Sequence, residues 1–213
     1  MSISENIGKI KKTIKTDTIL VVVSKKQSNE NILAAYQSGQ RNFGENQVQE
    51  LVKKEKDLPK DIKWHMIGHL QRNKVKYIAS FIHLIHSIDS INLLIEVDKR
   101  AKQNHRIIDC LLQVHIAEEE NKFGFEIHEV SKILEKSYML PNVNIVGLMG
   151  MATFSQDQLK IQSEFARLSR LFIKIKNNQI KILSMGMSGD YKLAIKQGSN
   201  MIRVGSSIFG KRN

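Results

Sequence analysis

Two segments near the C-terminal end of the chain carry residue types suited to holding an anion. Met185-Gly186-Met187-Ser188-Gly189-Asp190 and Met201-Ile202-Arg203-Val204-Gly205-Ser206-Ser207 each run from an apolar stretch into a Gly/Ser turn. Backbone N–H groups in such turns and at helix N-termini bind phosphate, because no side chain blocks the approach and the helix dipole favours negative charge. Between them lies a helix-like stretch, 191–197, closed by Gly198. The other end of the chain offers a reactive partner. Val21-Val22-Val23-Ser24-Lys25 places a lysine at the tip of a β-branched run. A neutral lysine amine attacks aldehydes, and partial burial or neighbouring cations lower its pKa toward that form. A phosphate cradle plus a strand-end lysine suggests a phosphorylated aldehyde held as a Schiff base.

Each of these residues has a plainer reading. Lys25 could be the solvated residue at which a strand ends. If Val21, Val23 and Lys25 face one way, Lys26 points the other. Arg203 sits inside an apolar strand, where a charge is costly unless paired. It is either half of a structural ion pair or a cation aimed at a ligand, on the same face as Met201 and Gly205. Beside a pyridine nitrogen it would donate a hydrogen bond and disfavour ring protonation. In Asn42-Phe43-Gly44-Glu45-Asn46 alternation groups Asn42, Gly44 and Asn46, and Asn46 could equally cap the following helix. Ser188 could cap the 190–197 helix, which is compatible with a phosphate contact.

These residues need a scaffold that brings strand ends together. Short apolar runs near 18–25, 42–46, 62–68, 83–89, 109–116, 142–150, 181–187 and 201–205 alternate with amphipathic stretches near 3–15, 29–38, 46–56, 70–80, 90–104, 126–139, 157–176 and 190–197. Apolar strands alternating with helices imply a parallel sheet covered by helices. Eight such units predict a single α/β domain over residues 1–213, a (β/α)8 TIM-type barrel, with an open doubly wound sheet as the alternative. In the barrel, the loops after strands seven and eight are the usual phosphate position. No Pro/Gly/Ser linker divides the 213 residues, and the chain closes soon after strand eight, with no second domain expected.

Composition narrows the function classes. The one cysteine, Cys110, cannot form an internal disulfide and reads as a buried small hydrophobe. No apolar run approaches the roughly 18–20 residues that span a bilayer. Ile3, Ile7, Ile10 and Ile14 form an amphipathic stripe rather than a signal-peptide core. A cytoplasmic protein without a membrane partner is expected. The net charge of +12 raises the question of nucleic acid. The lysines are dispersed, however: Lys9, Lys11, Lys12 and Lys15; Lys53, Lys54 and Lys56; Lys74 and Lys76. They are read as solvated helix faces without an aromatic stacking platform, so no nucleic-acid partner is expected. His65/His69 and His83/His86 have zinc-like spacings, but the first pair falls on a predicted strand with no acidic residue to complete a motif; no metal is expected. Walker-type, dinucleotide-binding and nucleophile-elbow patterns are absent.

With these segments assembled, the chain closely resembles the pyridoxal phosphate homeostasis protein family, single-domain relatives of alanine racemase. The resemblance spans about residues 19–210. It rests on Val22-Val23-Ser24-Lys25, Arg41-Asn42-Phe43-Gly44-Glu45-Asn46, Trp64-His65-Met66-Ile67-Gly68-His69-Leu70-Gln71-Arg72-Asn73-Lys74, Gly147-Leu148-Met149, Ser184-Met185-Gly186-Met187-Ser188 and the run from Gly198 to Gly210. It implies a barrel of the alanine racemase N-terminal domain kind, with pyridoxal 5′-phosphate held as an aldimine on Lys25. It further implies phosphate contacts from Ser188, Gly205 and Ser206, Arg203 at the ring nitrogen and Asn46 at the cofactor's edge. The implied role is cofactor homeostasis and delivery without established catalysis, with apo enzymes that use the cofactor as candidate recipients and a monomer as the expected state. The rival reading is a pyridoxal-phosphate-dependent amino-acid racemase of low activity. Lys26-Gln27-Ser28 and Gly150 depart from the family's usual residues, and the N-terminal helix is shorter. The departures touch loop shape and surface partners rather than cofactor contacts.

Overall fold

In a computed structural model, which describes residues 2–118 and 123–210, all eight expected strands form and close on one another. Met1 and the closing 211–213 lie outside the described residues. The strands are β1 (Ile19–Val23), β2 (Asn42–Glu45), β3 (Lys63–Met66), β4 (Leu84–Ile88), β5 (Ile108–Gln113), β6 (Val143–Met149), β7 (Ile182–Ser184) and β8 (Met201–Val204). They pair in parallel in sequence order, and β1 closes the ring against β8 with Val21 opposite Arg203 and Val22 opposite Val204. The open doubly wound sheet is thereby excluded.

The closure follows from strands apolar on both faces. Val22, Phe43, Ile85, Cys110, Leu112 and Leu148 point outward into a shell of apolar residues shared with the helices. Val21, Leu84, Leu111, Val146, Met149 and Met201 point inward and form an apolar layer across the barrel. Burial pushes the Cys110 thiol pKa up, as befits a packing residue. The helices are α1 (Ile3–Lys12), α2 (Asn29–Gln37), α3 (Val48–Asp57), α4 (Ile91–Gln103), α5 (Val130–Ser137), α6 (Gln158–Ile175), α7 (Tyr191–Lys196) and α8 (Ser206–Phe209). α1 opens with a reciprocal capping box, in which the Ser2 hydroxyl accepts the Glu5 N–H and the Glu5 carboxylate accepts the Ser2 N–H.

Three expectations are corrected. The helix expected over 70–80 is a 3₁₀ helix, Arg72–Tyr77, preceded by an extended Gln71. α1 stops at Lys12, and Ile14 packs onto the core from beyond its end. Finally, the lysines do not all lie on solvated faces. Lys53 and Lys56 are exposed, but Lys54 is buried, 4% exposed, because it shares the inward face of α3 with Val48 and Leu51.

Candidate functional site

The barrel gathers the expected residues at the C-terminal ends of its strands. Lys25 is half-buried in the turn that follows β1, and Lys26 beside it is exposed. Val21 belongs to the inward layer, but β1 ends at Val23 and both lysines lie in the turn beyond it, so strand alternation does not set their directions. Lys26 has a φ of +60°, the left-handed region that a non-glycine residue enters at a cost.

Ser188 links the two Gly/Ser segments. Its hydroxyl accepts the backbone N–H of Gly205 at 3.2 Å and of Ser207 at 3.4 Å. It does not cap α7. The residue preceding that helix is Asp190, whose carboxylate accepts the Met187 N–H at 2.6 Å. Gly205 sits at a close approach: a Cβ there would lie 3.2 Å from both the Cβ and the carbonyl oxygen of Val23, a tight contact. The glycine therefore lets the β8 turn close against the end of β1, two residues before Lys25. Ser206 and Ser207 are both exposed, and it is the Ser207 N–H that reaches Ser188. An open cavity of about 870 Å³ lies alongside, lined in part by Ser155, Ser188, Lys192 and Ser207.

Arg203 is 3% exposed and projects inside the barrel. Its guanidinium donates to the Ser184 carbonyl at 2.9 Å, the Ser184 hydroxyl at 2.6 Å and the Gly150 carbonyl at 3.1 Å. These partners are neutral oxygens. Burial lowers its pKa to about 10, with the Asp190 carboxylate pulling the other way, so the side chain is a cation at neutral pH.

Behind Arg203 runs a chain of hydrogen bonds that sequence reasoning did not anticipate. Ser184 Oγ meets His86 Nδ1 at 3.3 Å, His86 Nε2 meets His65 Nδ1 at 2.9 Å, and His65 Nε2 meets Asn42 Oδ1 at 3.1 Å. The Asn42 side-chain carbonyl oxygen can only accept, so His65 donates to it from Nε2, His86 donates from Nε2 to His65 Nδ1, and the Ser184 hydroxyl, which accepts from Arg203, donates to His86 Nδ1. The direction is then fixed, and each imidazole carries its hydrogen on Nε2. Burial holds both histidines well below their ordinary pKa, and the positive charge of Arg203 adds to the effect at His86. The residues are His65 and His86, neighbours across β3 and β4, rather than either zinc-like spacing in the sequence. Their signal was parity: His65 shares the inward face of β3, and His86 that of β4.

Asn46 is half-buried after β2. Gln47, not Asn46, precedes α3, which removes capping as its role. Asn46 instead packs against Gly68 in the loop after β3, where an added Cβ would fall 2.5 Å from the Asn46 carbonyl oxygen and 2.6 Å from its Cβ.

A second cluster lies behind the Lys25 turn. Glu45 is fully buried, and its Oε1 accepts from the Ser24 hydroxyl at 2.6 Å and the Lys54 ammonium at 2.8 Å. Burial raises the Glu45 pKa, opposed by those two partners. The signal for Lys54 was its spacing, three residues after Leu51 and six after Val48, on the apolar stripe of α3.

Comparison with known proteins agrees with this architecture. The family model for the alanine racemase N-terminal domain matches residues 1–213. The pyridoxal phosphate homeostasis protein of Aquifex aeolicus is 39% identical over 199 residues, covering 91% of this chain and 86% of that one. The protein of the same name from Schizosaccharomyces pombe is 40% identical over 207 residues, covering 92% and 85%. Among solved structures, PipY of Synechococcus elongatus without PLP superposes with a TM-score of 0.92 at 34% identity, covering 98% of this chain and 100% of that one. PipY with PLP bound superposes at 0.87, with 33% identity and the same coverage. Alanine racemase from Bartonella henselae, at 16% identity and a TM-score of 0.77, shares the fold over 99% of this chain and 60% of its own. With relatives this similar over nearly its whole length, the chain belongs to the pyridoxal phosphate homeostasis protein family.

Proposed function

We propose that this protein binds pyridoxal 5′-phosphate at the rim of the barrel and serves in cofactor homeostasis, holding the molecule rather than converting a substrate. The observation that carries the reading is the meeting of three features at one edge of the barrel. Lys25 follows β1, Gly205 packs on β1, and the Ser188 hydroxyl joins the turns after β7 and β8. These residues fit the cofactor. The close Gly205–Val23 approach leaves no side chain between the phosphate turn and the lysine strand, and exposed backbone groups and serine hydroxyls suit a phosphate. The family relationship and the PLP-bound PipY structure support the same ligand.

In this reading the Lys25 amine forms a covalent C=N link with the cofactor aldehyde and releases water. Ser188, Gly205 and Ser206 hold the phosphate, Arg203 faces the ring nitrogen and Asn46 borders the ring. When bound, the cofactor supplies an electrophilic aldehyde and an aromatic ring. Arg203 supplies a fixed positive charge that opposes protonation of the ring nitrogen. Apo enzymes that use this cofactor are the recipients in such a role, and a cytoplasmic monomer fits it. No helix among the described residues is long and apolar enough to cross a membrane.

Borohydride reduction of the protein mixed with pyridoxal 5′-phosphate, followed by peptide mapping, should place the adduct on Lys25. Adduct on Lys26, or none, would overturn the site. Turnover of single-enantiomer amino acids at about 1 per second or faster, an ordinary enzymatic rate, would overturn the holding role in favour of a racemase.

A further inference from the structure

We infer that Lys54, together with Glu45 and Glu50, is a positioning device for Lys25. The inference rests on the reading that Lys25 carries the cofactor. The peptide groups on either side of Lys25 are both held by one charged cluster. On the N-terminal side, the Lys54 ammonium donates to the Ser24 carbonyl at 2.7 Å. On the C-terminal side, the Lys26 N–H donates to Glu50 Oε1 at 2.6 Å. The two grips are one object, because Lys54 also donates to that same Glu50 Oε1 at 2.6 Å and to Glu45 Oε1 at 2.8 Å. The Ser24 hydroxyl closes the cluster on Glu45.

The placement is costly in itself. Glu45 is 0% and Lys54 4% exposed, and Glu45 Oε2 has no hydrogen-bond partner among the described residues. Burying an ion pair is seldom worth more stability than an apolar pair of the same size. Val48 and Leu51, on the same face of α3, show that apolar residues are accommodated there. What an apolar pair cannot do is hold the carbonyl and the amide that flank Lys25. The turn needs such a hold, since Lys26 occupies the left-handed region at φ +60° without being glycine. Covalent attachment depends on presenting the amine at the right place, and small misplacements are costly to rate.

The experiment separates presentation of the lysine from binding at the rest of the site. Two ligands are used on the full chain: pyridoxal 5′-phosphate, which can link to an amine, and pyridoxine 5′-phosphate, which lacks the aldehyde and cannot. In a Glu45→Gln/Lys54→Met double variant, which removes both buried charges together, attachment trapped on Lys25 should slow at least about tenfold. The affinity for pyridoxine 5′-phosphate should stay within about twofold of the parent. Lys54→Arg, which retains a cation, should recover part of the rate. Glu50→Ala leaves the Lys54–Glu45 pair and the Ser24 grip in place and removes the Lys26 grip together with its tie to Lys54. It should slow attachment several-fold, and it keeps the inference testable should the double variant not fold. Unchanged attachment in Glu50→Ala, or in a folded double variant, would overturn it. So would an equal loss of both ligands, which would make the cluster a general prop of the barrel. A parent protein that does not attach the cofactor on Lys25 would instead sink the functional reading beneath it.

Discussion

At the scale of single residues, the serine hydroxyls make the sharpest claim. Ser188 gathers two backbone N–H groups from the turn after β8, and Ser206 stands exposed beside them. If a phosphate binds there, each hydroxyl contributes a charge-assisted hydrogen bond of about 1.5–3 kcal/mol. Ser188→Ala combined with Ser206→Ala should therefore weaken pyridoxal 5′-phosphate at least tenfold more than unphosphorylated pyridoxal, as measured by spectral titration. Equal weakening of both would show that these serines do not touch the phosphate. Lys25, Arg203 and the Gly/Ser turns were legible in the sequence because each is a polar or small residue at the end of, or within, an apolar run. The alternatives for Asn46 and Ser188 were not separable at that level. Capping depends on backbone geometry, and it is Gln47 and Asp190 that stand at the helix starts. Ser188's actual partners lie 17 and 19 residues away, a pairing set by the β7–β8 neighbourhood rather than by local sequence.

At the scale of elements, strand order and helix alternation could be read from apolar runs alone, because every strand is buried on both faces. Helix type could not. Around the 3₁₀ helix after β3, Val75, Ile78, Ala79 and Ile82 are all buried at spacings that an α-helix would also produce. Lys54 was misread for a related reason: a charged residue on an apolar stripe is ordinarily at its edge, and only the approach of the β1 and β2 ends to α3 supplies partners that make burial possible. Loop contacts at the rim yield a prediction of the same kind. Gly68→Ala would drive a Cβ into the Asn46 backbone, which cannot yield as a flexible side chain would. Overpacking of this type costs about 1–3 kcal/mol. Urea unfolding should show a loss of that size, and the displaced Asn46 should weaken cofactor binding; unaltered stability would mean the two loops separate freely.

At the scale of the whole molecule, the buried histidines couple stability to acidity. His65 and His86 are held neutral by burial, with pKa values well below the ordinary 6.5. In the unfolded chain they take up protons as pH falls through about 6.5, while in the barrel they do not. The unfolded state then binds more protons, so stability falls as pH drops from 6.5 toward the depressed folded values. Two such groups should remove about 2 kcal/mol between pH 7 and pH 5.5. Glu45 works in the opposite sense, because its raised pKa favours proton uptake by the folded state, and it makes the decline shallower. Urea unfolding at the two pH values measures the sum, and a flat profile would mean that the imidazoles are protonated inside the barrel. The barrel as a whole was readable from eight repeated units, whereas the file of hydrogen bonds from Arg203 to Asn42 required the closed ring that sets five strands facing one lumen.

The inward layer of Val21, Leu84, Leu111, Val146, Met149 and Met201 fills the barrel lumen with apolar side chains beneath the rim. A cofactor held at Lys25, as proposed, would then arrive and depart across the rim. Loading and unloading therefore share one lane, and a protein covering the rim to receive the cofactor would at the same time bar its replacement. Under the proposed role, filling and hand-over would be alternate phases of a cycle, timed by how often the rim is uncovered.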